Sequence, residues 1–222
     1  MRRRTARLPP VQPIRYARMG GALYLGIIIA GIAGPLLTRE RLIVPHDIES
    51  TARNIAASAE LWRLGIAIDV VMQLCDVPVM LILFLLLSPV NRNVALLALL
   101  FNVVQTATLV ANQLTLIAAQ LLSVGQPPLT GVAIQAYSYG EQLGLVFFGF
   151  TLLLEVYLIR HSEYLPWILG LLVQIAGAGY VGSSFLLLVA PGSANIAFLI
   201  PSFVAESSLA LWLLVKGVEV KG

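Results

Sequence analysis

The sequence predicts an all-α protein: a polytopic transmembrane helical bundle of six spans, both termini cytoplasmic, with a helical extracytoplasmic extension before the second span. Three observations predict it. The chain is 59% hydrophobic and only 11% charged, with a mean hydropathy of +0.89, whereas an ordinary soluble domain is about 25% charged. Apolar runs near the roughly twenty residues that cross a hydrocarbon core recur along the chain. Arginine and lysine also collect on alternate loops, which sets an orientation.

Residues 1–17 form a basic cytoplasmic tail, and Arg2, Arg3, Arg4, Arg7, Arg15 and Arg18 lie in it or at the start of the first span. Beside a transmembrane helix such a tail fits anionic lipid headgroups, and no nucleic-acid partner is expected. The double arginine resembles a twin-arginine signal, but the apolar run Gly20–Leu37 is long enough to span. An uncleaved signal anchor is the expectation. One domain, residues 18–218, then carries spans at about 18–37, 65–87, 94–122, 137–159, 166–189 and 197–215, and residues 219–222 close the chain in the cytoplasm. The connections carry turn residues: Ser88-Pro89-Val90-Asn91, Gly125-Gln126-Pro127-Pro128 and Pro191-Gly192-Ser193. The cytoplasmic side collects the tail arginines with Arg92, Arg160, Lys216 and Lys221, and the outside receives Arg39, Arg41, Arg53 and Arg63.

Between the first two spans, Asp47 to Arg63 reads as one helix capped by Asp47 and extending the second span outward, as a lid over the bundle mouth or as a solvated connector. On the first span Ala22, Gly26, Ala30 and Gly34 repeat every fourth residue, a ladder of small residues for close packing inside the bundle or for a homodimer. Gly170 with Gly177, and Ala178 with Gly182, do the same on the fifth. Cys75 is the single cysteine, so no disulfide forms within the chain, and no metal site is expected from His46 and His161 on opposite sides.

Function is carried by acids in the spans. A carboxylate in hydrocarbon costs at least ~2.5 kcal/mol, so it faces a cavity or a partner. At 100° per residue Trp62, Asp69, Gln73, Asp76 and Met80 share a face of the second span, with Pro78 just beyond to bend it. Asn102, Gln105, Asn112, Gln113 and Gln120 share one on the third. Glu141, Gly144, Phe148 and Glu155 share one on the fourth, and Glu206 stands in the sixth. Four polar faces are expected to converge. Asp76 and Glu206 would lie near the midplane, Asp69, Gln73, Asn112, Gln113 and Glu141 in the outer half, and Glu155 toward the cytoplasm. Arg63, above Asp69, is the expected partner of Asp69 or guard of the mouth.

Such acids can carry protons, and with amide oxygens they can coordinate a hard cation. They can equally hold an organic cation, with Trp62, Tyr139 or Tyr180 as aromatic faces. The candidate ligand or proton site is Asp76, Glu206, Asp69, Glu141, Gln73, Asn102, Gln105, Asn112 and Arg63. The rival is a dry interior in which these groups are interhelical glue. No lysine stands in midmembrane for a retinal Schiff base, no histidine stands beside Ser183, Ser184, Ser207 or Ser208, and no phosphate-loop motif occurs. No catalytic residue, cofactor or metal is assigned. An enzyme acting on lipid would need Glu155 or Glu141 near a lateral opening.

Val44-Pro45-His46-Asp47, Thr51-Ala52-Arg53-Asn54-Ile55, Leu61-Trp62-Arg63-Leu64-Gly65, Cys75-Asp76-Val77 and Pro89-Val90-Asn91-Arg92 form a recognisable series. Leu145-Val146-Phe147-Phe148-Gly149, Tyr164-Leu165-Pro166, Ala178-Gly179-Tyr180 and Glu206 with Leu211-Trp212-Leu213-Leu214-Val215-Lys216-Gly217-Val218 continue it. From about Tyr16 to Val218 the chain resembles the bacterial membrane family catalogued as domain of unknown function 4386. The resemblance implies a single-domain polytopic protein of the bacterial cytoplasmic (inner) membrane, and it transfers no activity. It places Arg63, Asp76, Asn91 and Glu206 at recurring positions. His46 departs from it, standing where the family pattern has glycine.

Overall fold

A computed structural model describes residues 13–190 and 200–218. Seven α-helices and one 3-10 turn make up the described residues, with no strand among them. They are α1 (Pro13–Leu37), α2 (Ile48–Ala57), α3 (Ala59–Leu87), α4 (Arg92–Leu122), α5 (Pro127–Arg160), α6 (Trp167–Val189) and α7 (Ile200–Val215), the 3-10 turn Arg39–Arg41 following α1. Five stretches, from Pro13–Arg41 through Trp167–Val189, are long and apolar enough to cross a membrane, whereas Ile200–Val215 is shorter. This is the architecture of a multi-pass membrane protein. The expected start of the last span and the loop Pro191-Gly192-Ser193 lie outside the described residues, as do residues 1–12 and 219–222 of the expected tails.

Three expected boundaries move. α1 begins at Pro13, so residues 13–17 of the expected tail are helical. α5 begins at Pro127, ten residues before Tyr137, because two prolines at the first helical positions need no backbone donor there. The outer extension is also not one helix with α3. Ser58, at φ −123° and ψ 42°, ends α2 and starts α3.

The turn before α2 explains that break. Asp47 caps α2, accepting from the Ser50 amide at 2.9 Å. The Thr51 hydroxyl accepts from the Val44 amide at 2.9 Å, and Asn54 donates to the Leu42 carbonyl at 3.1 Å. These bonds fold the segment back, and Ala52 and Ile55 are sealed beneath α2 at 1% and 0% exposure. The helix is docked on the bundle, chiefly against α5. His46 holds φ 62°, a left-handed conformation that glycine takes without penalty.

Sequential helices pack as neighbours: α1 on α3 and α7, α3 on α4, α4 on α5, α5 on α6 and α6 on α7. Small residues set two of the crossings. Gly149 and Gly177 bring α5 and α6 so close that a Cβ on Gly177 would stand 3.0 Å from the Gly149 carbonyl oxygen. A Cβ on Gly21 would stand 2.6 Å from the carbonyl oxygen of Ala210 in α7. On α1 the expected ladder divides. Gly34 packs on Ile68, whereas Gly26 faces open space.

Candidate functional site

The polar faces converge on a cavity of about 160 Å³ inside the bundle. On α3 it is lined by Asp69, Gln73 and Asp76, spaced by four and three residues. That register keeps them on one stripe over about 10 Å of helix axis. α4 contributes Gln105 and Gln113, and α5 contributes Tyr137, Glu141 and Phe148. α7 supplies Glu206. The sequence patterns had not marked α1 as a polar wall, yet Tyr24 and Arg39 line the site from it and from the turn that follows it.

At one end of the cavity Asp76 and Glu206 share no hydrogen bond; each has its own shell. Asn102 and Thr106 of α4 both donate to Asp76 Oδ2, at 2.9 Å each. Asn102, fully buried, also donates to Gln105 at 2.9 Å. The phenols of Tyr24 and Tyr180 donate to the two oxygens of Glu206, at 3.0 and 2.6 Å. Thr106 and Tyr24 were not singled out from the sequence, and Tyr180 serves as a donor rather than as an aromatic face.

At the opposite end Asp69 is paired with Arg39, not with Arg63. Arg63 is exposed and turns back to the Ala59 carbonyl at 3.2 Å. The expectation failed because Arg63 lies nearer in sequence, but six residues place it on another face of α3. Arg39 reaches the site because the chain turns inward after α1. Its guanidinium carbon lies 5.1 Å from the Tyr137 ring centre and its Nη2 donates to the Tyr137 hydroxyl at 3.3 Å.

Other expectations are corrected as well. Asn112 is buried but lies outside the lining, because its amide donates to the Tyr137 carbonyl at 2.8 Å and its side chain fills the place where Gly140 has no Cβ. Trp62 is fully buried in the outer core, its indole donating to the Leu116 carbonyl at 2.9 Å, and Tyr139 also lies outside the lining. Glu155 borders a separate void of about 10 Å³ among Met80, Leu83, Phe84 and Ala95, and it is only 2% exposed. It is therefore not the acid at a lateral opening that a lipid enzyme would use.

Three amides, Gln73, Gln113 and Asn102, are left with an oxygen that has no donor among the described residues. Gln113 Nε2 donates to the Leu109 carbonyl at 3.4 Å. Gln113 Oε1 and Gln73 Oε1 then have no donor among the described residues, though both side chains are about 5% exposed. Buried polar atoms are nearly always satisfied, so unpartnered acceptors in the walls around the cavity call for a donor.

Comparison with known proteins agrees with the sequence pattern. An uncharacterized protein from Archaeoglobus fulgidus is 31% identical over 142 residues, covering 64% of this chain and 76% of the relative. No solved structure matches. A family model described as a domain of unknown function (DUF4386) matches residues 19–217, which take in every wall of the cavity, and the chain belongs to that family.

Proposed function

We propose that this protein binds a small organic cation in the cavity between Arg39 and Glu206 and moves or senses it in exchange for protons. The observation that carries the reading is the charge inventory. Asp69, Asp76, Glu141 and Glu206 line the cavity, and Arg39 is the single cationic side chain among its lining residues. Arg39 is committed to Asp69. Unpaired charge in a low-dielectric interior is costly, so the remaining carboxylates hold either protons or a cation. Arrival of a cation would release a proton, which couples binding to proton flow.

Chemistry narrows the cation. No three histidine, cysteine, aspartate or glutamate side chains gather as metal ligands among the described residues. The acceptors are instead spread along the cavity, as suits an ammonium with several N–H donors. The volume of about 160 Å³ is close to the ~150 Å³ cavity known to hold one benzene molecule.

The membrane arrangement we propose has six spans in a bacterial inner membrane, the termini in the cytoplasm and Arg39 at the outer mouth. α7, at about 1.5 Å per residue, supplies sixteen described residues of the sixth span, and Glu206 must stand level with Asp76 to share the cavity.

The test is calorimetric titration of the purified protein in phosphatidylcholine nanodiscs with ethylammonium. Binding is expected in the wild type, with at least a tenfold loss (about 1.4 kcal/mol) in Asp76→Asn, whose amide oxygen still accepts from Asn102 and Thr106. A parallel series in a Cys75→Ala background places cysteines at Gln73 and, as control, Val71. No binding, together with no labelling of Gln73→Cys by an impermeant thiol reagent from either side, sinks the reading. The polar network would then be interhelical glue in an accessory protein.

A further inference from the structure

The cavity has a neighbour on the lipid side. α1 and α3 meet closely at their two ends, where Cβ atoms on Gly34 and Gly20 would stand 3.0 Å from Ile68 and 2.9 Å from Ile82. Between those crossings Ala22, Gly26 and Ala30 are too small to fill the seam, and a Cβ on Gly26 would meet nothing within 4 Å. The result is a groove of about 550 Å³ along the outer face of the bundle, walled from α3 by side chains such as Leu64, Val71 and Cys75. No charged side chain lines it.

Ile27 and Met72 border both this groove and the polar cavity. Two side chains therefore form the partition between an apolar trough open to lipid and a chamber holding four carboxylates. Met72 is the movable one. It is unbranched, with rotatable bonds up to its thioether. It also lies over a residue without a side chain, since a Cβ on Gly31 would be 3.2 Å from its sulfur.

We propose that the ligand is an amphiphilic amine reaching the site sideways from the bilayer, its alkyl tail lying in the α1–α3 groove and its ammonium passing Met72 to Asp76 and Glu206. This rests on the cation-binding reading of the cavity. Charge complementarity assigns the head, because the lining carries four carboxylates and one arginine. Volume assigns the tail. The chamber of about 160 Å³ holds a head group and little more, whereas the groove of about 550 Å³ holds a chain. A bilayer concentrates amphiphilic molecules, so a lateral route gives the site a high local supply.

Two measurements test it, both on the full chain in phosphatidylcholine nanodiscs. The first titrates ethylammonium and decylammonium into wild type and Gly26→Leu, a variant that fills the groove without touching the cavity. Each comparison uses one ligand in one bilayer, so non-specific partition cancels. Decylammonium is expected to lose about tenfold in affinity in Gly26→Leu, and ethylammonium to stay within about twofold. The second needs no groove variant. A decylamine bearing a terminal diazirine is photolysed on the wild type, and label is expected within residues 22–30 or 64–75 and reduced in Asp76→Asn.

Ethylammonium binding that depends on Asp76, together with unchanged decylammonium affinity in Gly26→Leu and label on other helices, overturns the lateral site and leaves the cation site standing. Label in the groove that Asp76→Asn does not change, with no ethylammonium binding, makes the groove a seat for lipid chains only. That outcome overturns both readings.

Discussion

Arg39 and Asp69, thirty residues apart in the chain, form a buried ion pair at one end of the cavity. The pair joins the turn after α1 to the middle of α3 and places one positive charge among four carboxylates. It neutralises one acid, orders the Tyr137 ring beneath the guanidinium, and closes one end of the cavity.

Breaking this pair from either side leaves a buried charge alone. Arg39→Gln and Asp69→Asn are each expected to cost about 3 kcal/mol of bundle stability, and the double variant less than their sum. A double-mutant cycle on unfolding in mixed micelles measures this. Arg39→Gln is also expected to strengthen ethylammonium binding, since it removes the competing cation; additive costs together with unchanged binding would show the pair to be incidental.

The cap of α2 carries a pH dependence. Asp47 is held below its usual value of 3.8, chiefly by the Ser50 hydroxyl and next by the Ser50 amide. A folded value below the unfolded one means that the cap is fully stabilising above about pH 4. That contribution is lost as pH falls through the lowered folded value. Hydrogen exchange across α2 is expected to quicken as the pH is taken below 3.8, after correction for the intrinsic rate. Asp47→Asn, which keeps an acceptor for the cap, should remove that dependence.

His46→Gly is expected to stabilise the outer turn by up to about 1 kcal/mol. A left-handed conformation costs a β-carbon residue roughly 1–2 kcal/mol, part of which glycine returns through its freer unfolded chain. The relevant angle is φ 62°. Protease resistance of the Val44–Ser50 turn reads the effect, and a loss of resistance would mean that the imidazole makes a contact worth more than the strain.

Gly21 and Gly26, on neighbouring turns of α1, should behave oppositely. Gly21→Ala drives a methyl group toward backbone atoms of α7, 2.5 Å from the Leu214 nitrogen, and neither helix can yield by a side-chain turn. A loss of about 1–3 kcal/mol is expected. Gly26→Ala points into open space and should be neutral or slightly stabilising, as alanine favours helix by about 1 kcal/mol. Thermal aggregation midpoints in one detergent compare the two directly.

Several motif residues of the family pattern have structural work that their sequence context disclosed. Asp47 and Asn91 cap helices, Asn91 accepting from the Asn93 and Val94 amides at 3.1 and 3.3 Å. Such bonds span two or three residues, so local sequence reports them. Thr51 and Trp62 needed the fold, because their partners come from the preceding turn and from α4. Among the acids, periodicity placed Asp69, Gln73 and Asp76 on one wall correctly. Glu141 and Glu155 fall on the same stripe of a straight helix, so their depth along the span rather than periodicity set them apart, and the cavity ends between them.

The sequence by itself determined the long apolar helices and which of them carry acids into an apolar stretch. These are local properties: a helix satisfies its own backbone groups, and its polar stripe follows from 3.6 residues per turn. Only the tertiary structure decided that Arg39 rather than Arg63 meets Asp69, and that tyrosines from α1 and α6 hold Glu206. It also decided that Met72 and Ile27 divide a polar chamber from an apolar groove. Those relations join residues up to 182 positions apart. They depend on the height and rotation of one helix against another, which close packing of the whole bundle sets and no single helix encodes.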